Sequence, residues 1–118
     1  MSKPSKGGHV RGAVVPQAGG VVTGGSGFLT LANGVAMWVS MTLTNAGAIN
    51  GFVEVSQSIN GAPYVKQLTL GQNPLAPLNN TPFGAPLSTG QVIVAVVLVR
   101  DSKNELLLRS NVMSGTVP

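Results

Sequence analysis

The chain has 118 residues, no cysteine, and only 8% charged residues against 43% hydrophobic ones. That length suits one domain with its own core, and the lack of thiols excludes disulfides, thiolate nucleophiles and cysteine-held metals. The net charge of +4 is uneven: Lys3, Lys6 and Arg11 stand near the start without an acid, while Lys66, Arg100, Lys103 and Arg109 face Glu54, Asp101 and Glu105 in the remainder, too even a balance for a nucleic-acid footprint.

Residues 1–20, with their Gly, Pro and Lys content, read as a flexible basic arm, and residues 21–118 as a single β domain. No apolar segment of signal-peptide length follows Met1-Ser2-Lys3. The chain is therefore expected to start inside a cell. Its one short apolar patch, Val10 to Val15, suits strand addition at an exposed sheet edge. Lys3, Lys6, His9, Val10, Arg11, Val14 and Val15 are thus the arm's candidate interaction residues.

Beyond Val21 the signals are those of β structure. Gly24-Gly25-Ser26-Gly27 reads as a flexible connection between strands, since neither the Lys-Ser/Thr nor the helix of a phosphate cradle follows it. Val35, Met37, Val39, Met41 and Leu43 alternate with Ala36, Trp38, Ser40, Thr42 and Thr44, the period of a half-buried strand. Trp38 either faces out as an anchor for a partner or, with the register reversed, faces the core.

Phe52 to Ile59 and Tyr64 to Leu70 flank Asn60-Gly61, the strongest short hairpin signal, because both residues tolerate positive φ. Asn33-Gly34 and Asn50-Gly51 punctuate other β runs. Residues 71–90 carry Pro74, Pro77, Pro82 and Pro86 and cannot form a central strand. They read as a long surface loop with a short edge strand near Leu75 to Leu78. Loops of this length are often functional, so Pro74, Leu75, Pro77 and Phe83 join Trp38 as candidate contact residues.

Val92 to Val99 is apolar at every position, as in a strand buried on both faces. One face of a two-layer sandwich is ordinarily wet, so the outer side of this strand is a candidate meeting place for another chain. The run is too short to span a bilayer. Asp101 to Asn104 is a polar turn, and Leu106 to Leu108, extending toward Met113, returns as the partner strand. About seven short strands with regular turns imply an all-β sandwich.

Several of these segments resemble immunoglobulin-like sandwich modules of the CARDB type. The resemblance rests on Val39 to Gly47 followed by Gly51 to Val55, on Leu68-Thr69-Leu70-Gly71-Gln72, and on Val94 to Asp101 with Asn104 and Glu105, and it spans roughly residues 35–110. The proline-rich segment and the basic arm depart from that pattern, as does a missing late aromatic. The resemblance implies an immunoglobulin-like fold and a role in adhesion or assembly; similar sandwiches decorate phage capsids and tails. It implies no catalytic residue.

Direct search for chemistry agrees. His9 is the only histidine and lies in the arm, far along the chain from Asp101, the only aspartate, so no Ser-His-Asp set is expected. The supply of metal ligands is too small for a zinc site. Glu54 and Glu105 read as surface carboxylates, Glu105 paired with Lys103 or Arg109, in preference to a glycosidase pair. The expectation is a non-enzymatic structural protein without metal or cofactor, whose partners are protein subunits, copies of itself or lattice neighbours, and not membrane or nucleic acid. A virion component such as a capsid decoration protein leads, located in the virion. An extracellular adhesion, matrix or surface-filament module is the alternative. A carbohydrate-binding module is third, because it requires an exposed aromatic platform and aromatics are only 4% of the chain.

Overall fold

Alternating apolar residues force a choice on each strand: one face must be covered, and here two sheets cover each other. The structure is a computed structural model that describes the backbone of Val15 and Pro16 and residues 22–44, 49–72 and 75–118 in full. The expectations for Lys3, Lys6, His9, Val10, Arg11, Val14, Pro74 and the turn at residues 45–47 fall outside the described residues, as does the Val15 side chain. No helix occurs among the described residues.

In chain order the strands are β1 (Val15–Pro16), β2 (Thr23–Thr30), β3 (Met37–Thr44), β4 (Gly51–Ile59), β5 (Val65–Gln72), β6 (Leu78–Phe83), β7 (Val92–Asp101), β8 (Leu106–Arg109) and β9 (Met113–Thr116). The larger sheet runs β1-β8-β7-β4-β5, with β9 also on β7; the smaller runs β2-β3-β6. Every pairing is antiparallel. The chain is an all-β sandwich, with nine described strands in place of about seven. The increase comes from the two-residue β1 and from the return strand being split into β8 and β9.

β7 is the spine of the larger sheet. On one side it pairs with β4 from Gly51↔Asp101 to Ile59↔Ile93. On the other, its first half pairs with β9 and its second with β8. Ser110 makes that split possible. Fully buried, it donates its N–H to the Val97 carbonyl (2.9 Å), accepts the Val97 N–H on its hydroxyl (2.9 Å), and donates that hydroxyl to the Asn111 carbonyl (2.9 Å). The chain bends there without leaving buried backbone groups unpaired.

The next residue joins the two layers. The Asn111 amide accepts the Gly27 N–H on Oδ1 (2.7 Å) and donates from Nδ2 to the Gly27 carbonyl (3.1 Å), imitating a strand partner. Gly27 must be glycine for this approach, because a Cβ would lie 2.6 Å from the Ser40 carbonyl oxygen and 3.0 Å from Met113 Sδ. Residues 24–27 are therefore not a flexible connection. They form a register shift inside β2, with Gly24 and Gly25 at φ +92° and +82°, which glycine adopts readily.

The core lies between the layers. Met37, Val39 and Met41 of β3 face Val53 and Val55 of β4, the alternate residues Ile93, Ala95, Val97 and Val99 of β7, and Leu108, Met113 and Val117. Each such side chain contributes about 1.5–3 kcal/mol on burial. The proline-rich segment adds Leu75, Leu78, Phe83 and Leu87, all buried. This corrects the reading of residues 71–90 as a surface loop. The prolines exclude a central strand, yet β6 sits at the edge of the smaller sheet, where a residue without an N–H is tolerated. The edge strand lies at Leu78–Phe83, displaced from the expected Leu75 to Leu78.

The Asn-Gly pairs divide by role. Asn60 (φ +54°) and Gly61 (φ +78°) turn the β4–β5 hairpin, closed by the Ala62 N–H on the Ile59 carbonyl at 3.1 Å. At Gly34 (φ +85°) the N–H donates to the Leu87 carbonyl (2.8 Å), which ties the β2–β3 hairpin to the proline-rich segment. Gly51 instead opens β4 and crosses β7 so closely that a Cβ would collide with the Arg100 carbonyl.

Candidate functional site

The two sheets differ in width, and the difference leaves a surface uncovered. β2 lies toward β9, and the β3–β6 side reaches β4 through a Gln57 Nε2 to Met37 Sδ contact at 3.1 Å. Gly84, after β6, sits against Gln57 and Gln67. β5 projects past this cover. By register Val65 and Leu68 lie opposite the buried Gln57 and Val55 and share their side of the sheet, yet they are 57% and 46% exposed. Tyr64 beside them is half exposed. β5 is also the last strand on its side of the larger sheet, so one row of its backbone groups has no described ladder partner.

The other described sheet edges are short or interrupted: β9 runs for only four residues. β6 carries Pro82 and a left-handed Asn80 (φ +46°); β2 carries its glycine shift; β8 takes Val15 and Pro16 opposite Arg109 and Leu108. β5 runs for eight residues with one lysine and a single shift around Gln67. It is the described edge with the fewest devices against strand addition.

On the outer face of the larger sheet, Val92 is exposed and Val94, Val96 and Leu98 are half-buried. Beside them Glu54 Oε1 lies 3.3 Å from Arg100 Nε and 3.5 Å from Lys66 Nζ. Asp101 Oδ1 accepts the N–H groups of Lys103 and Glu105, each at 2.9 Å, and so shapes the β7–β8 turn. Glu105 itself is exposed, and the ion pairs among the described residues belong to Glu54, not to Glu105 with Lys103 or Arg109. No cluster of three or more His, Cys, Asp or Glu occurs among the described residues.

The smaller sheet turns a different face to solvent. β2, β3 and β6 contain no charged residue. Trp38 is outward and 39% exposed, next to the fully buried Met37 and Val39. Phe28 is 61% exposed on the same face. Its partner in register is Ser40, while Trp38 pairs with Thr30 on one side and Pro82 on the other. Ser40 Oγ donates to Asn80 Oδ1 (3.1 Å) and accepts the Asn80 N–H (3.0 Å). A groove along β3 is lined by Phe28, Ser40, Thr42, Thr44, Pro77 and Asn79.

Of the contact residues expected from sequence, Trp38 and Pro77 are exposed, whereas Leu75 and Phe83 belong to the core and are corrected accordingly. Both sit where proline content suggested surface, but prolines restrict backbone pairing and say little about neighbouring side chains. Sequence reasoning missed Phe28, Val65 and Leu68. The alternation around Trp38 left its direction open between outward and core, and nothing local revealed that β5 would overhang. Comparison with family models, curated proteins and solved structures finds no match to this chain.

Proposed function

We propose that this chain is a non-enzymatic assembly domain, a small structural component of a virion such as a capsid decoration protein, which works through contacts with copies of itself. The observation that carries the reading is the β5 overhang, where Tyr64, Val65 and Leu68 expose apolar surface beside an eight-residue strand edge. Two β5 strands laid antiparallel across a two-fold axis extend the larger sheet from one subunit into the next and cover both overhangs. The low charge of the chain supports this, because little repulsion opposes close approach. So does β1, since Val15 and Pro16 already add a strand to the opposite edge of the same sheet. The basic residues Lys3, Lys6 and Arg11 then supply charge for acidic patches on neighbours.

Sedimentation velocity across a concentration series tests the reading. The full chain is expected to self-associate. Leu68→Lys places a charge on the overhang and is expected to shift the distribution to monomer while leaving the melting temperature within a few degrees, as befits an exposed position. A wild-type chain that stays monomeric at every concentration overturns the proposal, and so does an oligomer indifferent to Leu68→Lys and to Val65→Lys.

A further inference from the structure

The outer face of the smaller sheet suits a neutral ligand that offers both hydroxyl groups and flat apolar faces, and we infer that it is a binding track for an uncharged polysaccharide chain. The inference does not depend on the assembly reading, which uses the other sheet.

Three observations carry it. First, the chain's single tryptophan and an exposed phenylalanine share this face. Phe28 opposite Ser40 and Trp38 opposite Thr30 make a diagonal pair across β2 and β3, a relation that separates the side-chain origins by roughly 7–8 Å. Both rings are solvent-exposed yet rooted in a rigid sheet, so they meet a ligand with little loss of conformational freedom. The C–H face of a pyranose ring is the natural partner for such a ring.

Second, hydroxyl and amide groups are set along the track among apolar side chains such as Leu43 and Pro77. Ser40, Thr42 and Thr44 follow Trp38 on the outward side of β3, and Asn79 and Pro77 form the opposite wall. From Trp38 to Thr44 the strand covers about 20 Å, the length of several sugar rings, and the groove is an open trough. That shape admits a chain passing through and does not select a single enclosed sugar.

Third, the described residues place no charge on this face. Every charged residue among the described ones lies on the larger sheet or its β7–β8 turn. Among the described residues, a phosphate- or sulfate-bearing polymer would find no cation on this face, and a polyamine would find no anion. Uncharged hydroxyl-rich chains are the polymers whose desolvation these side chains can offset with hydrogen bonds.

The test uses affinity electrophoresis of the full chain through gels containing hydroxyethylcellulose, mixed-linkage β-glucan, galactomannan or dextran, with heparin and single-stranded DNA as charged arms. Because Trp38 is the only tryptophan, its fluorescence reports the site in the unmodified protein. At least one neutral polysaccharide is expected to retard the chain and to protect Trp38 from iodide quenching. Trp38→Ala and Phe28→Ala are each expected to weaken retardation about tenfold, consistent with loss of an aromatic anchor. Phe52→Ala, an aromatic on β4 of the larger sheet that neither reading uses, is expected to leave it unchanged.

The inference is overturned if no neutral polysaccharide retards the wild-type chain or shields Trp38. It is equally overturned if heparin or DNA binds more tightly than every neutral polymer, or if Trp38 becomes shielded on raising the protein concentration alone, which would mark the face as a subunit contact. Since the quenching readout needs no substitution, a variant that folds poorly does not leave the question open. Assembly through β5 is read separately by Leu68→Lys, so failure of one reading does not imply failure of the other.

Discussion

The two layers of this sandwich obey the same inward rule and opposite outward rules. On the core side, Met37, Val39 and Met41 of the smaller sheet are interchangeable in kind with Val53, Val55 and Val97 of the larger. On the solvent side, the larger sheet carries the Glu54–Arg100–Lys66 ion pairs beside half-buried Val94 and Val96, while the smaller carries Phe28, Trp38, Ser40 and Thr42 and no charge. The core needs only apolar volume of about the right size. The outward residues are free of that demand, so their division into a charged sheet and a neutral one is where a functional reading begins.

The comparison breaks first at its aromatics. Phe83 and Trp38 both belong to the smaller sheet, yet Phe83 is the largest fully buried side chain among the described residues and Trp38 is outward. Phe83→Ala is expected to cost about 3–5 kcal/mol in urea-induced unfolding, a large share of the stability of so small a domain. Trp38→Ala is expected to cost less than about 1 kcal/mol. Equal losses would mean that Trp38 is a core residue and that the smaller sheet has no free face.

A smaller effect examines how the layers are joined. Asn111→Ala removes both bonds to the Gly27 backbone and is expected to destabilise by about 1–2 kcal/mol. Amide exchange should accelerate selectively at Gly27. Uniform acceleration over both sheets would instead show that Asn111 is not the clasp between them.

The finest contrast lies within the larger sheet. Gly61 turns the β4–β5 hairpin at φ +78°, whereas Gly71 on β5 has open space where a Cβ would stand and needs no left-handed backbone. Gly61→Ala is expected to cost about 1–2 kcal/mol. Gly71→Ala is expected to be neutral or to stabilise by up to about 1 kcal/mol, through reduced freedom of the unfolded chain. Thermal melts of the two variants separate the cases, and similar melting points would remove the turn from the account of this hairpin.

Much of this architecture was legible from residues alone, and the reason is local. Strand alternation at Met37 to Leu43, the Asn60-Gly61 turn and the Asp101 to Asn104 turn depend on neighbours within a few positions, so the amino-acid order determines them by itself. The low charge and the lack of thiols likewise follow from composition. Tertiary structure alone decided the rest. Gly27 and Gly51 look like loop or turn glycines until Ser40, Met113 and Arg100 are brought against them. Leu75 and Phe83 look like loop residues until β6 docks on β3. Val65 and Leu68 look like core residues, and they are exposed only because a three-stranded layer cannot cover a wider one. Burial is a property of pairs of surfaces, and no single strand specifies how far its partner sheet extends.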